Sequence, residues 1–562
     1  MRDFRQQFPF FASQAPSIYF DNAATTQKPQ CVIDAIEHAN IHQSANVHRS
    51  SYQLAASVTD AYESARDDVA QLINAPNTKQ VFWSKGATES LNLLAHGLGE
   101  LCRIEHALWQ GDEIIILTSE HHANILPWQQ LVSRLSPMKK LRVTPVSPDS
   151  KGNFDYTQLR DAISERTAIV AIAHVSNALG CIHPIAQITQ WAHRHNALCI
   201  VDGTQAVAHI QVDVQALQCD AYVGSSHKMF GPTGVGFGYA THAILDALPP
   251  YQVGGEMIEY VSFDEVRYQS YPLKFEAGTP NISGVIGMGA AARFIKQQQT
   301  TIQSIEDELL EYLTQQLQSL PVITILGDNH NERVSLCSLL IAGVSHYDIL
   351  RLLDDQHIAV RVGHHCAMPL MQHLHIDGTL RVSLCAYNTR AEIDVFMTSL
   401  HQAIMTLTAS SEPAGINRIS PQSRLHSDSD SHSQSESHVQ TTLPLAQAFL
   451  GLTDYSASFR QIMLSAKECP ILQETMRTPQ YHVAGCEVDV WLANQNGQFA
   501  AFTTSKIIKG LLAILLEKAN QLPVEERRQF DFAQYLATLG ISHHLSQSRV
   551  DGLTVVIEQL SV

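Results

Sequence analysis

The pattern of apolar and polar positions changes character several times along the chain, and each change predicts a different kind of structure. Across residues 51–74, Leu54, Val58, Tyr62, Ala65, Val69 and Leu72 recur at spacings of three and four, which predicts an amphipathic helix. From residue 80 onward, short continuous apolar runs alternate with helical stretches; the runs are 80–83, 113–117, 168–173, 198–201 and 221–223. Runs this short, with no polar face, predict strands buried on both sides of a mainly parallel sheet.

A second region, 334–405, reads as a smaller α+β lobe. It offers a strand at 338–342, a helix at 347–355, a strand at 357–362, a loop bearing Cys366 and a strand at 379–386. A last helix opens at Thr389 with Glu392 three residues on, the spacing of a capping box. Periodicity then stops over 406–440, where 420–438 is dominated by Ser with Asp, His and Gln, the composition of a flexible linker spanning roughly 30–35 Å. Past it, helical runs at 445–466 precede an alternation of Val488, Val490 and Leu492 with polar or amphipathic residues. Asn496-Gly497 then signals a hairpin with 498–503 as its return strand, and Ile507, Leu511, Ile514 and Leu515 mark a helix. Pro523 suits the start of another helix. The expected architecture is α/β, with a large lobe at about 18–290 and a small lobe made of the N-terminal segment and about 291–405. The linker 406–440 and a small α+β domain at 441–562 follow.

Composition adds bounds. A chain of 562 residues is too long for one core. The net charge of −17, with Lys and Arg scattered, argues against nucleic acid as the main partner. Charges at Arg2, Asp3 and Arg5 occupy the place of a secretory apolar region, and no run has the length of a membrane span, so a soluble cytoplasmic protein is expected. Ten cysteines without paired spacing predict reduced thiols rather than a disulfide framework. Most sit in apolar runs, whereas Cys366 and Cys486 stand in histidine and glycine settings.

In parallel sheets ligands gather at the carboxyl ends of the strands. Five such ends carry polar groups here: the Gly86-Ala87-Thr88 turn, Glu120 to Asn124 with His121, Ser176-Asn177, Asp202 to Gln205, and Ser225-Ser226-His227-Lys228. A pyridoxal-type cofactor needs a lysine for a Schiff base, an acid at the pyridinium nitrogen, an aromatic or imidazole plane on the ring and a phosphate cradle. Lys228, Asp202, His121 and the Gly86-Ala87-Thr88 turn supply these four in turn. Singly, each has an ordinary reading as surface lysine, helix cap, packed histidine or common turn; jointly they point to cofactor chemistry.

Several stretches also carry a family resemblance: Asp21 to Thr26, His48-Arg49, Glu120 to Ile125, Asp202 to Val207, Ser226-His227-Lys228, Phe275 to Asn281 and Arg361 to Pro369. On these motifs, residues from about 18 to 405 resemble the SufS/CsdA-type, or group II, cysteine desulfurases, fold type I (aspartate aminotransferase-like) pyridoxal-phosphate enzymes. The resemblance implies that Lys228 holds the cofactor and shuttles the substrate Cα proton, that His121 stacks on the ring, and that Asp202 and Gln205 pair with its nitrogen and oxygen. It implies that Ala87 and Thr88 of the turn, Ser225 and His227 form the phosphate site, with Thr279 reaching in from the other subunit of a homodimer. It also implies substrate contacts from Arg381, Asn177, Arg361 and His48, with Cys366 as the nucleophile that takes sulfur from L-cysteine.

The tail, through Val483 to Cys486, Val490-Trp491, Ile507 to Leu511 and Leu545 to Arg549, resembles the SufE-like sulfur acceptors. That implies Cys486 as the next sulfur carrier, supported by Arg549, and a final recipient such as an iron–sulfur scaffold or another sulfur-accepting protein. Three positions depart from the families: Ala87 where threonine is usual, Ser226 where glycine is frequent, and Val488 where the acceptors have serine. Other readings are selenocysteine lyase or cysteine sulfinate desulfinase chemistry on the same cofactor, or a non-catalytic sulfur carrier or metal scaffold. A zinc site at His364, His365, Cys366, His373 and His375 is disfavoured, because adjacent residues rarely ligate one ion, and no metal is expected.

Overall fold

The computed structural model describes residues 2–12, 17–49, 51–328, 332–409, 443–449, 455–483, 488–541 and 547–561. The chain divides into two compact units, Met1–Ala342 with Leu352–Ser399, and Gly343–Arg351 with Leu400–Val562.

The first unit is built on a seven-stranded sheet. Its spatial order is Val81–Ser84, Gly236–Ala240, Ala221–Ser225, Leu198–Asp202, Thr167–Ala173, Glu113–Leu117, Arg142–Val146. The strands from Arg142–Val146 across to Ala221–Ser225 are parallel, and Gly236–Ala240 runs antiparallel to both its neighbours. Every residue of Glu113–Leu117, Thr167–Ala173, Leu198–Asp202 and Ala221–Ser225 is buried, which is why these segments read as unbroken apolar runs. The expected helix forms as Gln53–Leu72 and packs against a 37-residue helix, Ile282–Gln318.

Two strands of this sheet escape the apolar-run pattern. Arg142–Val146 is a half-exposed edge with Pro145 in it, which an edge strand tolerates. Gly236–Ala240 reads as a loop because of its glycines, yet is wholly buried. A β-carbon at Gly236 would lie 2.4 Å from Gly86 Cα, so glycine there lets the strand approach the Gly86 turn.

The smaller sheet of this unit is antiparallel, in the order Ile323–Ile325, Leu336–Ile341, Thr379–Ser383, Arg361–Gly363. The single strand expected at 357–362 is in fact two: Ile358–Ala359 pairs with the N-terminal Ile18–Tyr19, whereas Arg361–Gly363 pairs with Thr379–Ser383. The two pieces part at Val360 because they serve different partners. The last strand ends at Ser383, three residues short of the expected 386. The capping box is present: Thr389 N–H donates to Glu392 Oε2 (2.9 Å) and Glu392 N–H to Thr389 Oγ1 (3.2 Å). The helix it opens, Arg390–Ala409, runs past the boundary expected at 406, and Leu407 is buried, so apolar packing holds these extra residues helical. Most of the expected linker, residues 410–442, lies outside the described residues.

In the second unit, Val490–Gln495 and Gln498–Thr503 form the anticipated hairpin, with Asn496 (φ 53°) and Gly497 (φ 90°) in the left-handed region that a two-residue turn of this kind requires. Helix Lys506–Gln521 is capped by Ser505, whose Oγ accepts from Ile508 N–H at 3.2 Å. It crosses Tyr455–Ser465 so closely that a β-carbon at Gly510 would meet the Ile462 carbonyl oxygen at 1.9 Å. Helices Val524–Arg527, Phe532–Thr538 and Gln547–Leu560 follow. Val483 N–H donates to the Val490 carbonyl (2.8 Å); the segment between them that holds Cys486 lies outside the described residues, as does the side chain of Arg549.

Candidate active site

The carboxyl ends of the parallel strands open into a cavity of about 760 Å³. At one end lies the amino terminus of the 17-residue helix Ala87–Arg103, capped by Gly86 with no side chain of its own. Ala87 and Thr88 line the cavity here together with Ser225 and His227, so backbone N–H groups, two hydroxyls and an imidazole face one space. Free N–H groups and the positive end of a helix dipole suit a phosphate. Lys85 also lines the cavity; its side chain is largely exposed and its ammonium lies 4.0 Å from Glu89.

Lys228 closes the turn after Ala221–Ser225 and lines the same cavity. Its loop is clamped from the chain start: the His227 carbonyl accepts from Thr26 N–H (2.9 Å) and from the hydroxyls of Thr25 (3.1 Å) and Thr26 (3.2 Å). Burial, then Arg381 and Arg361, push the Lys228 ammonium down to about 8, against the opposing pull of Asp202, so a usable fraction is free amine near neutral pH.

Asp202 and Gln205 line the cavity below, where Asp202 Oδ1 accepts from Thr204 N–H (3.0 Å) and Gln205 donates through Nε2 to the Ala23 carbonyl (2.8 Å). His121 Nδ1 accepts from Ala123 N–H at 3.1 Å. Burial and the nearby Lys228 charge hold its imidazole at about 4, neutral at pH 7 with its proton on Nε2. Glu120 beneath it is fully buried and accepts from Ala173 N–H (3.0 Å) and Asn124 Nδ2 (2.7 Å); burial pushes its carboxyl up to about 8.

The same cavity is also lined by Asn177, Arg361, Arg381 and Cys366. Arg361 and Arg381 are direct cross-strand partners, which brings two guanidinium groups to one wall. Arg381 is buried; it donates to Asp21 Oδ1 (2.9 Å) and the Asn177 carbonyl (3.0 Å), and burial lowers its pKa against the stabilising charge of Asp21. Among the described residues, Arg381 Nε, His365 Nδ1 and Thr204 Oγ1 are buried polar atoms with no partner. Buried polar atoms are ordinarily paired. A cavity lined by residues with such atoms, by a helix N-terminus and by a neutral-capable lysine fits an anionic cofactor and a carboxylate substrate.

Cys366 sits on a short loop between Arg361–Gly363 and the helix Met368–Leu374. His365 (φ 52°) and Cys366 (φ 57°) are consecutive left-handed residues with side chains, a conformation costing roughly 1–3 kcal/mol each. Surrounding bonds hold it. Asn177 Nδ2 donates to the His365 carbonyl (2.6 Å), His122 N–H to the Cys366 carbonyl (2.8 Å), and Met368 N–H to His122 Nε2 (3.2 Å).

Two expected site residues lie elsewhere. His48 is outside the cavity: its Nε2 pairs with Glu63 Oε1 (2.8 Å), in a network where buried Arg66 bridges Glu63 and Glu276. Within this chain His48 is thus placed in the Glu63–Arg66–Glu276 network rather than on the cavity lining. Thr279 is exposed and lines a neighbouring cavity of about 400 Å³ with Tyr62, Trp83 and Glu276. Asp21, Glu120 and His122 had no role assigned from sequence; all three fall inside the family-like motifs, and Glu120 and His122 also lie at a polar strand end.

Residues 18–396 match the class-V aminotransferase family, and residues 444–561 match SufE, the Fe-S metabolism associated domain. The chain belongs to the class-V aminotransferase family. A probable cysteine desulfurase of Vibrio cholerae serotype O1 is 41% identical over 404 residues, which cover 71% of this chain and 97% of that protein. The apo structure of the cysteine desulfurase of Thermococcus onnurineus NA1 superposes with a TM-score of 0.67 at 35% identity, covering 72% of this chain and 98% of that one. The Escherichia coli cysteine desulfurase CsdA, solved in an S-sulfonic acid form, does so at 0.64 and 36% identity, covering 72% and 98%. Within its family, this chain is a cysteine desulfurase continued by a SufE domain. Among the described residues, no helix is long and apolar enough to cross a membrane.

Proposed function

We propose that the protein converts L-cysteine to L-alanine on pyridoxal phosphate, collects the sulfur as a persulfide on Cys366 and passes it to Cys486 of its own SufE domain. The observation that carries this reading is that Lys228, Asp202, His121, Arg381 and Cys366 all line one cavity. Lys228 would hold the cofactor, Asp202 its ring nitrogen, Gln205 its ring oxygen, and Thr88, Ser225, His227 and the backbone at Ala87 its phosphate. Pyridoxal phosphate, when bound, withdraws electrons from the substrate Cα, which acidifies the Cα proton and makes the substrate sulfur electrophilic.

The residues of the chain do the rest. Arg381 orients the substrate carboxylate, with Asn177 beside it, and the second guanidinium, Arg361, favours anions at this wall. Lys228, depressed toward neutral pH, is suited to take and return a proton. Cys366 sulfur bonds to the substrate sulfur as the Cβ–S bond breaks, and Cβ is protonated. The balance is one cysteine and one thiol giving one alanine and one persulfide.

The SufE domain, tethered by a linker of coil-like composition, would meet Cys366 at an effective concentration near the millimolar range. A SufS/CsdA-type homodimer, with Thr279 of one subunit serving the other, and delivery to an iron–sulfur scaffold or another sulfur-accepting protein complete the proposal. The test is alanine and sulfide release from L-cysteine with a thiol reductant. Cys366→Ala should abolish both, and undiminished sulfide from that variant would overturn the persulfide route. Faster turnover of selenocysteine or cysteine sulfinate than of cysteine would reassign the substrate.

A further inference from the structure

We propose that His122 is a positioning residue that fixes the Cys366 loop by capping the helix behind it. The inference rests on Cys366 as the sulfur-accepting thiol. His121 and Ala123 both line the cavity, whereas His122 between them does not. It faces the nucleophile loop instead, and grips it at two points two residues apart: its N–H on the Cys366 carbonyl and its Nε2 on Met368 N–H.

The second bond answers a specific deficiency. Helix Met368–Leu374 begins at Ala367, whose side chain cannot cap, and Pro369 has no N–H to offer. Met368 N–H is therefore the exposed donor of the first turn, and an imidazole from another segment takes the place a Ser or Asp would fill. Because Nε2 accepts, His122 is neutral with its proton on Nδ1; burial, and the adjacent His364, favour that state. The same loop carries two consecutive left-handed residues, so it needs ties from outside to keep the Cys366 side chain on the cavity wall. His122 thus links the segment that presents His121 with the segment that presents Cys366.

The experiment uses the full-length holoenzyme with His122→Ala and His122→Gln, the latter retaining an acceptor at comparable reach. Iodoacetamide labelling, resolved by peptide mass mapping, follows Cys366 against exposed Cys31 as an internal standard. In His122→Ala, Cys366 should label about fivefold faster relative to Cys31 and kcat should fall about fivefold with KM little changed, as expected for loss of one typical helix cap. The cofactor absorbance should stay that of the parent, and His122→Gln should recover both effects in large part. Unchanged labelling and kcat in His122→Ala, or a glutamine variant no better than alanine, would overturn the proposal. Parent enzyme that makes no alanine would instead overturn the desulfurase reading, while the labelling ratio would still report on His122.

Discussion

Lys228 is a charge that the fold has to carry, and its removal from the cofactor-free protein should stabilise it. Burial and the two neighbouring arginines lower its pKa from 10.5 to about 8. Every tenfold change in an acid dissociation constant corresponds to about 1.4 kcal/mol, so the ammonium costs the folded state about 3 kcal/mol at pH 7. The sign follows from proton binding: between the folded and unfolded pKa values the unfolded chain holds more protons, so stability rises with pH there and the penalty is full below about 8. By pH 9.5 roughly 1.4 kcal/mol should remain. Lys228→Met should therefore raise the melting temperature of the cofactor-free protein at pH 7. For the first unit of Met1–Ala342 with Leu352–Ser399, a gain of about 3 kcal/mol corresponds to roughly 4 °C. Calorimetry of both proteins at pH 7 and 9.5 measures the difference, which should shrink by about half or more at the higher pH. No gain at pH 7, or a gain independent of pH, would refute the claim that Lys228 is held as a strained cation awaiting its cofactor.

Other residues give independent tests. Arg381→Lys keeps the charge but loses the planar fork shared between Asp21 and the Asn177 carbonyl, so kcat/KM for cysteine should fall about 10- to 100-fold, mostly through KM, in steady-state assays. Glu276→Ala strips buried Arg66 of its bidentate partner and Trp83 N–H of its acceptor. Breaking such a pair costs about 3–5 kcal/mol, a drop of roughly 4–6 °C in the first unit's melting temperature by calorimetry.

What could be read in advance depended on whether local pattern and long-range contact agree. Five strands of the large sheet are buried on both faces and so announce themselves as apolar runs; their ends led directly to Lys228, Asp202, His121 and Asn177. Gly236–Ala240 was hidden because its glycines, needed against the Gly86 turn, imitate a loop. Arg142–Val146 was hidden because an edge strand keeps polar residues and a proline. The break at Val360 depends on a pairing with Ile18–Tyr19 more than 300 positions away, which no local window contains. The same distance effect separates identity from role in the site. Asp21 was visible as a motif residue, but its service to Arg381 spans the chain, and His122 was visible beside His121 without any sign that it turns toward Met368. His48 is a further case, since its motif gave no sign of the contact it makes with Glu63.

In the proposed route sulfur leaves cysteine onto Cys366 and moves on to Cys486. Mass spectrometry of the intact chain after seconds of exposure to labelled L-cysteine, quenched with a thiol-blocking reagent, tests it directly. An added sulfur should appear on the Cys366 peptide first and on the Cys486 peptide afterwards, with only the first in Cys486→Ser and neither in Cys366→Ala. Label on Cys486 in the absence of Cys366, or alanine production with no added sulfur on either peptide, would contradict it.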